Sequence, residues 1–305
     1  FHKVILMSLP SNRSIGLFAA LLTVTIWALF LLTTRFAVTS KFTVEEILLL
    51  RLLPAAIAIS PLLFRFPLLP RGQTVFGSLI IMIGVSAVFP YIVSSGLAYA
   101  PASDAGPLAP GMIPFWTALA AYFLIGEVPS KIRSVGLGLI LIGALLVGLY
   151  QILTDSNTGA WRGHLLFLIG SGLFSIYSVI FRQSGLSPVH GLVISLFWGT
   201  IIATPLLFLS GNITFENADL RDIIIMIILQ SFVMSILATI LFNYSVRVLG
   251  AAETGAFGAL TPTLTLIGGI MLLNETITSA KILGVILVAL GVFLASGILN
   301  RSEIK

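Results

Sequence analysis

The groups in this chain that could do chemistry are few and scattered. Three histidines, His2, His164 and His190, lie near segment ends, with no HExxH spacing and no carboxylate cluster to complete a metal site. There is no cysteine, so thiolate metal sites and disulfides are absent and thiols say nothing of redox compartment. No GxxxxGK loop followed by Ser or Thr is present to cradle a nucleotide phosphate, so neither ATP drive nor an ATPase subunit is implied. What remains is the chemistry of recognition. Arg51 sits inside the apolar run "EEILLLRLLP" (Glu45 to Pro54), and Asp104, Glu127, Glu253 and Glu275 stand at the ends of such runs. Neither an enzyme nor a cofactor is expected.

The elements that must position these groups follow from composition. The chain has 305 residues, 58% hydrophobic and 9% charged, with a mean hydropathy of +1.12, where a soluble domain carries about 25% charged residues. Apolar stretches near twenty residues recur, each able to cross a hydrocarbon core of about 30 Å as a helix. Ten such spans are read, at 15–38, 45–65, 73–99, 104–124, 132–151, 162–183, 188–210, 221–248, 252–273 and 281–299. Connections are short, leaving no room for an inserted soluble domain. The start "FHKVILMSLPSNR" has too short an apolar run for a signal peptide. Phe1 ahead of an internal Met7 reads as a trimmed or foreign start, so whether residues 1–6 are native stays open.

A formal charge of +5 does not form the dense basic face that nucleic acid needs. It follows topology instead. With the N-terminus inside, Lys3, Arg13, Arg65, Arg71, Lys131, Arg133, Arg182, Arg247, Arg301 and Lys305 fall on the inner side and Arg35, Lys41, Arg162, Arg221 and Lys281 on the outer. Both termini are therefore expected in the cytoplasm. Acidic residues lean the other way, with Glu45, Glu46, Asp104, Asp155, Glu216, Asp219, Asp222 and Glu275 outside against Glu127, Glu253 and Glu303 inside.

An internal repeat organises these spans. At an offset of 148, Pro114 falls on Pro262, Glu127 on Glu275, Gly136 on Gly284 and Gly143 on Gly291. At 147, "WALFLLTTR" (Trp27 to Arg35) lies over "FSIYSVIFR" (Phe174 to Arg182). The expected fold is an all-α integral membrane protein of ten transmembrane helices in two five-helix repeats, at 15–151 and 162–299, with tails at 1–14 and 300–305. Five is odd, so the second repeat enters the membrane from the opposite side. Inverted repeats of this kind place substrate near the midplane and suit alternating access.

These residues resemble the drug/metabolite transporter superfamily, of the ten-helix EamA type. The marks are "IWALFLLTTR", the arginine in "ILLLRLL", and the block of a proline-bearing fourth helix, "GE" and a glycine-spaced fifth helix, repeated as "TPTLTL...LNE...LG". The likeness implies export or exchange of small metabolites such as amino acids across a bacterial inner membrane. Asn274, where the pattern has glycine, and Phe174, where it often has tryptophan, depart from it. The partners expected are a small-molecule substrate and the lipid bilayer, with the protein a monomer or weak homodimer. A broad drug or cation exporter is the alternative carrier, weakened by the scarcity of buried acids. A channel is the alternative class, and no filter loop supports it.

Candidate substrate-binding residues are Trp27, Tyr91, Ser95, Pro110, Pro114, Trp116, Phe174, Tyr177, Asn243 and Pro262. A mid-span indole or phenol wants a partner or a cavity, and Ser95 and Asn243 share the offset of 148. Trp198 and Tyr99 read as interfacial belt residues. Arg51 is read either as pairing with Glu45 or Glu46, or as acting directly on substrate or gate. Asp104 reads as an N-cap that would put Pro107 in a first helical turn, with Pro110 and Pro114 then leaving the carbonyls of Gly106 and Pro110 without donors. Paired interruptions at Pro114 and Pro262 point to the binding site. No acid lies mid-span, so proton coupling is not expected and exchange or facilitated diffusion is the simpler mode.

Overall fold

The structure is a computed structural model and describes residues 13–154, 159–249 and 251–299. His2, Lys3, Asp155, Arg301, Glu303, Lys305 and the questioned start at residues 1–6 lie outside the described residues. Every regular element among those described is helical. In chain order these are α1 (Arg13–Ser40), α2 (Val44–Ile59), α3 (Val75–Val85), α4 (Val88–Tyr99), α5 (Ala102–Leu108), α6 (Ile113–Ile125) and α7 (Lys131–Thr154). Then come α8 (Ala160–Ser184), α9 (Pro188–Leu209), α10 (Leu220–Met226), a π-helix over Ile227–Leu237, α11 (Ala238–Leu249), α12 (Ala251–Phe257), α13 (Leu260–Leu273) and α14 (Ser279–Ala295). Among the described residues nine segments, counting α3 with α4, α5 with α6, α10 with α11, and α12 with α13 as single segments, are long and apolar enough to cross a membrane. The tenth expected span is α14, whose 17 residues stand at the short end of the crossing range of about 17 to 25.

Local chemistry sets the helix ends. Thr43 and Glu46 form a capping box on α2, and Asp219 and Asp222 form one on α10. Ser187 caps α9 ahead of Pro188, and Thr278 caps α14. The departure at Asn274 has its reason here. Gly126 closes α6 and Asn274 closes α13 at the same left-handed position, φ 69° and 52° respectively. Asparagine is the residue best able to replace glycine there.

The glycines mark the closest helix contact. α7 and α14 run antiparallel, with Gly136 opposite Gly291 and Gly143 opposite Gly284. A Cβ on Gly291 would stand 2.6 Å from the Gly136 carbonyl, and one on Gly143 2.6 Å from that of Gly284. Because 136 pairs with 284 and 143 with 291 in the repeat, this seam maps onto itself when the halves are exchanged. Beside it a buried core of Leu31, Val93, Leu97, Leu108, Phe167 and Val288 joins both halves. Large apolar side chains such as Phe18, Phe76, Phe123 and Leu209 point outward, as a lipid-facing surface requires.

The seam is testable. Gly291→Val should abolish the monodisperse folded species in detergent, since its side chain meets backbone and cannot be absorbed by a rotamer change. Gly138→Ala, where no atom lies within 4 Å, should leave the melting temperature unchanged or slightly raised, by at most about 1 kcal/mol of helix propensity.

Candidate functional site

Two helices are interrupted at matching places. α5 ends at Leu108, Ala109 takes φ −101° and ψ −82°, and Pro110–Met112 forms a 3-10 turn before α6. In the second half α12 ends at Phe257, and α13 begins at Leu260 after a turn in which Gly258 N–H donates to the Gly255 carbonyl. At the offset of 148 the two breaks coincide. Pro114 and Pro262 stand in the first turn of α6 and of α13, where a missing N–H costs little. The Pro110 carbonyl, expected to lack a donor, receives the Ile113 N–H within the 3-10 turn. Ser175 of α8 donates to the Ile113 carbonyl at 3.1 Å, tying a further helix to the break.

The expected capping role of Asp104 is overturned. Pro101 occupies the N-cap of α5 without a side-chain bond, which puts Pro107 inside α5 rather than in its first turn. The cap comes from the other half of the molecule. Glu275, just beyond α13, accepts the N–H groups of Ala102 at 2.7 Å and Ser103 at 2.9 Å, two of the donors that a helix start leaves open. Asp104 is fully buried, with Oδ1 2.8 Å from Lys281 Nζ and Oδ2 3.0 Å from His164 Nε2. Lys281 also donates to Ser103 Oγ at 3.2 Å, and Arg35 donates to the Leu97 carbonyl. The buried Asp104 carboxylate thereby joins α5, α8 and α14, Glu275 ties the end of α13 to α5, and the Arg35 bond joins α1 to α4.

The opposite end carries the repeat mates of Glu275, Arg35 and Lys281 in a looser arrangement, while Asp104 falls on Ala252 and His164 on Leu17. Glu127, mate of Glu275, takes Arg182 at 2.6 Å and Arg133 at 3.1 Å, the mates of Arg35 and Lys281. Arg13 meets Glu253 at 2.5 Å. α5 packs along α13, but no comparable packing joins α6 to α12 among the described residues. The Glu127 side chain keeps 34% of its surface exposed. The Arg182 guanidinium, bonding it directly, holds the Glu127 carboxyl below the usual carboxylate range. On the first end, outside the spanning segments, the bond to Asp222 raises the Lys41 ammonium above its ordinary value.

Between the ends, Arg51 does not pair as expected. Glu45 accepts the Tyr91 hydroxyl at 2.9 Å, while Glu46 accepts the N–H groups of Thr43, Thr214 and Phe215 at 2.9, 3.0 and 2.5 Å. Arg51 Nη1 donates instead to Gln230 Oε1 at 3.1 Å, and the guanidinium carbon lies 5.1 Å from the centre of the Phe30 ring. Gln230 in turn donates to Thr34 Oγ1 at 3.0 Å. It belongs to the π-helix, a geometry frequent at functional sites, where Ser231 donates to the Leu50 carbonyl at 2.6 Å.

The aromatic candidates fall into separate groups. Trp27, one turn from Phe30 on α1, packs on Phe242 at 5.5 Å. Phe174 links Phe89 at 5.2 Å to Tyr177 at 5.5 Å, and Tyr177 continues to Phe181. Trp116 packs on Phe115, its indole nitrogen buried without a hydrogen-bond partner. Ser95 bonds the Tyr91 carbonyl of its own helix at 2.8 Å. Ser95 and Asn243 lie on α4 and α11, which do not pack along one another among the described residues. Trp198 donates to the Leu68 carbonyl at 3.3 Å, and Tyr99 lies under Arg162 near a helix end. A cavity of about 330 Å³ opens on the far flank of α1 beside Leu29, Thr33, Phe36, Met226 and Leu273, lined by none of Arg51, Gln230, Tyr91 or Tyr177.

Sequence reasoning missed His164, Lys281 and Gln230. For Lys281 a signal existed, since it lies at the offset of 148 from Arg133. No comparable signal marks the π-helix. Among the described residues no group of three His, Asp or Glu side chains is placed to hold a metal ion.

Comparison with known proteins gives this geometry a context. The model of the EamA-like transporter family matches residues 14–149 and again 161–297. The uncharacterized transporter YyaM of Bacillus subtilis is 26% identical over 230 residues, covering 72% of this chain and 73% of its own length. The uncharacterized transporter sll1319 of Synechocystis sp. is 28% identical over 187 residues, 59% of this chain, and the match spans only 55% of that protein. A crystal structure with 19% sequence identity superposes with a TM-score of 0.59, covering 96% of this chain and 98% of that one, a likeness of fold.

Two outcomes follow from the charge networks. Lys281→Met strands the buried Asp104 carboxylate and should cost about 3 to 5 kcal/mol in thermal unfolding of the detergent-solubilised protein, while the double variant with Asp104→Asn recovers much of the loss. Glu127 carries a depressed pKa, so its contribution is complete above the ordinary carboxylate value and vanishes only as pH falls through the lower one. Between pH 7 and 5.5 the melting temperatures of the parent protein and Glu127→Gln should therefore move in parallel.

Proposed function

The chain belongs to the EamA-like transporter family, and from that premise we propose that it is a secondary carrier moving a small metabolite, foremost an amino acid, outward across a bacterial inner membrane by alternating access. In this reading ten helices cross as two inverted five-helix repeats with both termini cytoplasmic. The end holding Glu275 faces out.

The observation that carries the reading is the unequal closure of two ends that share three duplicated charged groups, Glu275 with Glu127, Arg35 with Arg182 and Lys281 with Arg133. At one end Glu275 caps α5 and the Asp104, Lys281 and His164 cluster seals it. At the other, Glu127 rests on Arg182 and Arg133. Repeat-related elements able to take two arrangements are the parts alternating access needs, because exchanging the arrangements opens one end as it shuts the other. The interrupted helices carrying Pro110, Pro114 and Pro262 then flank the pathway. Trp27, Tyr91, Ser95, Trp116, Phe174, Tyr177 and Asn243 line it.

The test is counterflow in proteoliposomes with radiolabelled amino acids, nucleosides and cationic dyes. Saturable flux with trans-stimulation is expected for amino acids, whereas unsaturable flux or single-channel currents would sink the carrier reading. Trp27→Ala and Tyr177→Ala should each alter the kinetics of the best substrate. Because the chain has no cysteine, closure can be read on a single Ser103→Cys variant. It should resist a membrane-impermeant maleimide, and adding Glu275→Gln should raise the labelling rate severalfold.

A further inference from the structure

Inside a membrane bundle a charge is held by a counter-ion or kept for use. Asp104 and Lys281 hold each other. Arg51 does not fit that pattern. It stands seven residues into α2, about 10 Å along the helix axis, and among the described residues no carboxylate comes within salt-bridge distance of it. The nearby acids are engaged elsewhere, Glu45 by Tyr91 and Glu46 by three backbone N–H groups.

The guanidinium is nonetheless fixed. One face lies over Phe30 at 5.1 Å, and Nη1 is anchored by Gln230, itself held by Thr34 and by the π-helix. Gln230 is the protein's one acceptor for this group among the described residues, and Arg51 keeps part of its surface accessible. A planar fork pinned on one face and one nitrogen, with its other N–H groups turned to no acceptor, suits a bidentate oxyanion. Its neighbours Gln230, Thr34 and Ser231 are neutral, so charge balances with one negative charge rather than with a phosphate dianion. Trp27, one turn from Phe30 on α1 and packed at a tilt on Phe242, adds apolar aromatic surface beside the Phe30 ring.

We propose that Arg51 is the receptor for the carboxylate of the transported molecule, which is therefore a small organic monocarboxylate with an apolar or aromatic body. The assignment rests on the carrier reading and narrows it. Loading turns a half-buried cation without a carboxylate partner into a neutral pair, so substrate lowers the electrostatic cost of moving this part of the bundle through a low-dielectric interior. Gln230 is a positioning residue that aims the fork.

The experiment is ligand-induced thermal stabilisation of the purified full chain with acid and amide pairs: L-phenylalanine against L-phenylalaninamide and phenylacetate against phenylacetamide, with inorganic phosphate as a separate arm. Acids should bind at least about tenfold more tightly than their amides. Arg51→Gln should erase that preference, Arg51→Lys should keep only part of it, and Gln230→Leu should weaken acid binding severalfold while preserving the preference. The proposal is overturned if no acid binds, if amides bind as well as acids, if phosphate binds better than either, or if the preference survives Arg51→Gln. Should Arg51→Gln fail to elute as a folded species, Arg51→Lys decides, and undiminished acid affinity there also overturns it. Acid binding without counterflow would remove the carrier reading alone. Counterflow indifferent to the carboxylate would remove this assignment alone.

Discussion

In a bilayer every backbone donor, acceptor and charge must find its partner inside the protein, because no water stands ready to supply one. The bond from Glu275 to the first N–H groups of α5 shows what that constraint does to this molecule. A helix start that begins on proline brings no side-chain cap of its own, so it takes one from the far end of the other repeat. Asp104, drawn inside by the same packing, needs Lys281 and His164. Each satisfied group fixes the place of a helix distant in sequence, and the end of the bundle is built from such debts.

The same requirement explains where the helices break. Where proline separates α5 from α6 a 3-10 turn gives the Pro110 carbonyl its donor, and Pro114 and Pro262 begin the following helix rather than cut one. The interior then holds two kinds of charge. The Asp104 and Lys281 pair is complete within the protein. Arg51, with only an amide and an aromatic face for company, is incomplete, and that difference separates the structural charge from the one open to a ligand.

Much of this was legible beforehand. Apolar length gave the spans, and the shared offset of Pro114 with Pro262 and Glu127 with Glu275 gave the duplication, which the family match over both halves bears out. The glycine spacing of the fifth span was visible, but that α14 is what it meets was not. The failures have physical causes. Asp104 looks like a cap from its neighbours alone, and only folding brings residues 164 and 281 to it. Arg51 lies within two turns of Glu45 and Glu46, but those acids are turned toward Tyr91 and toward backbone N–H groups that sequence distance cannot weigh. The π-helix requires a change of hydrogen-bond register that leaves no periodic trace. The difference between the two ends leaves a trace in the sequence, since Asp104 falls on Ala252 and His164 on Leu17 in the repeat, but only folding brings those two residues together.

The glycine seam between α7 and α14 has a consequence for the origin of such a chain. Gly136 meets Gly291 and Gly143 meets Gly284, and because Gly136 is the repeat mate of Gly284 and Gly143 that of Gly291, the contact is self-complementary in the manner of an isologous dimer interface. Each repeat therefore brings the same two glycines to one grip across the α7 and α14 seam. The covalent fusion of the halves adds no new surface to that grip. What it adds is freedom for the two copies to differ, so that one half keeps glycine at its helix stop and the other asparagine, and one end seals around a buried carboxylate while its counterpart does not.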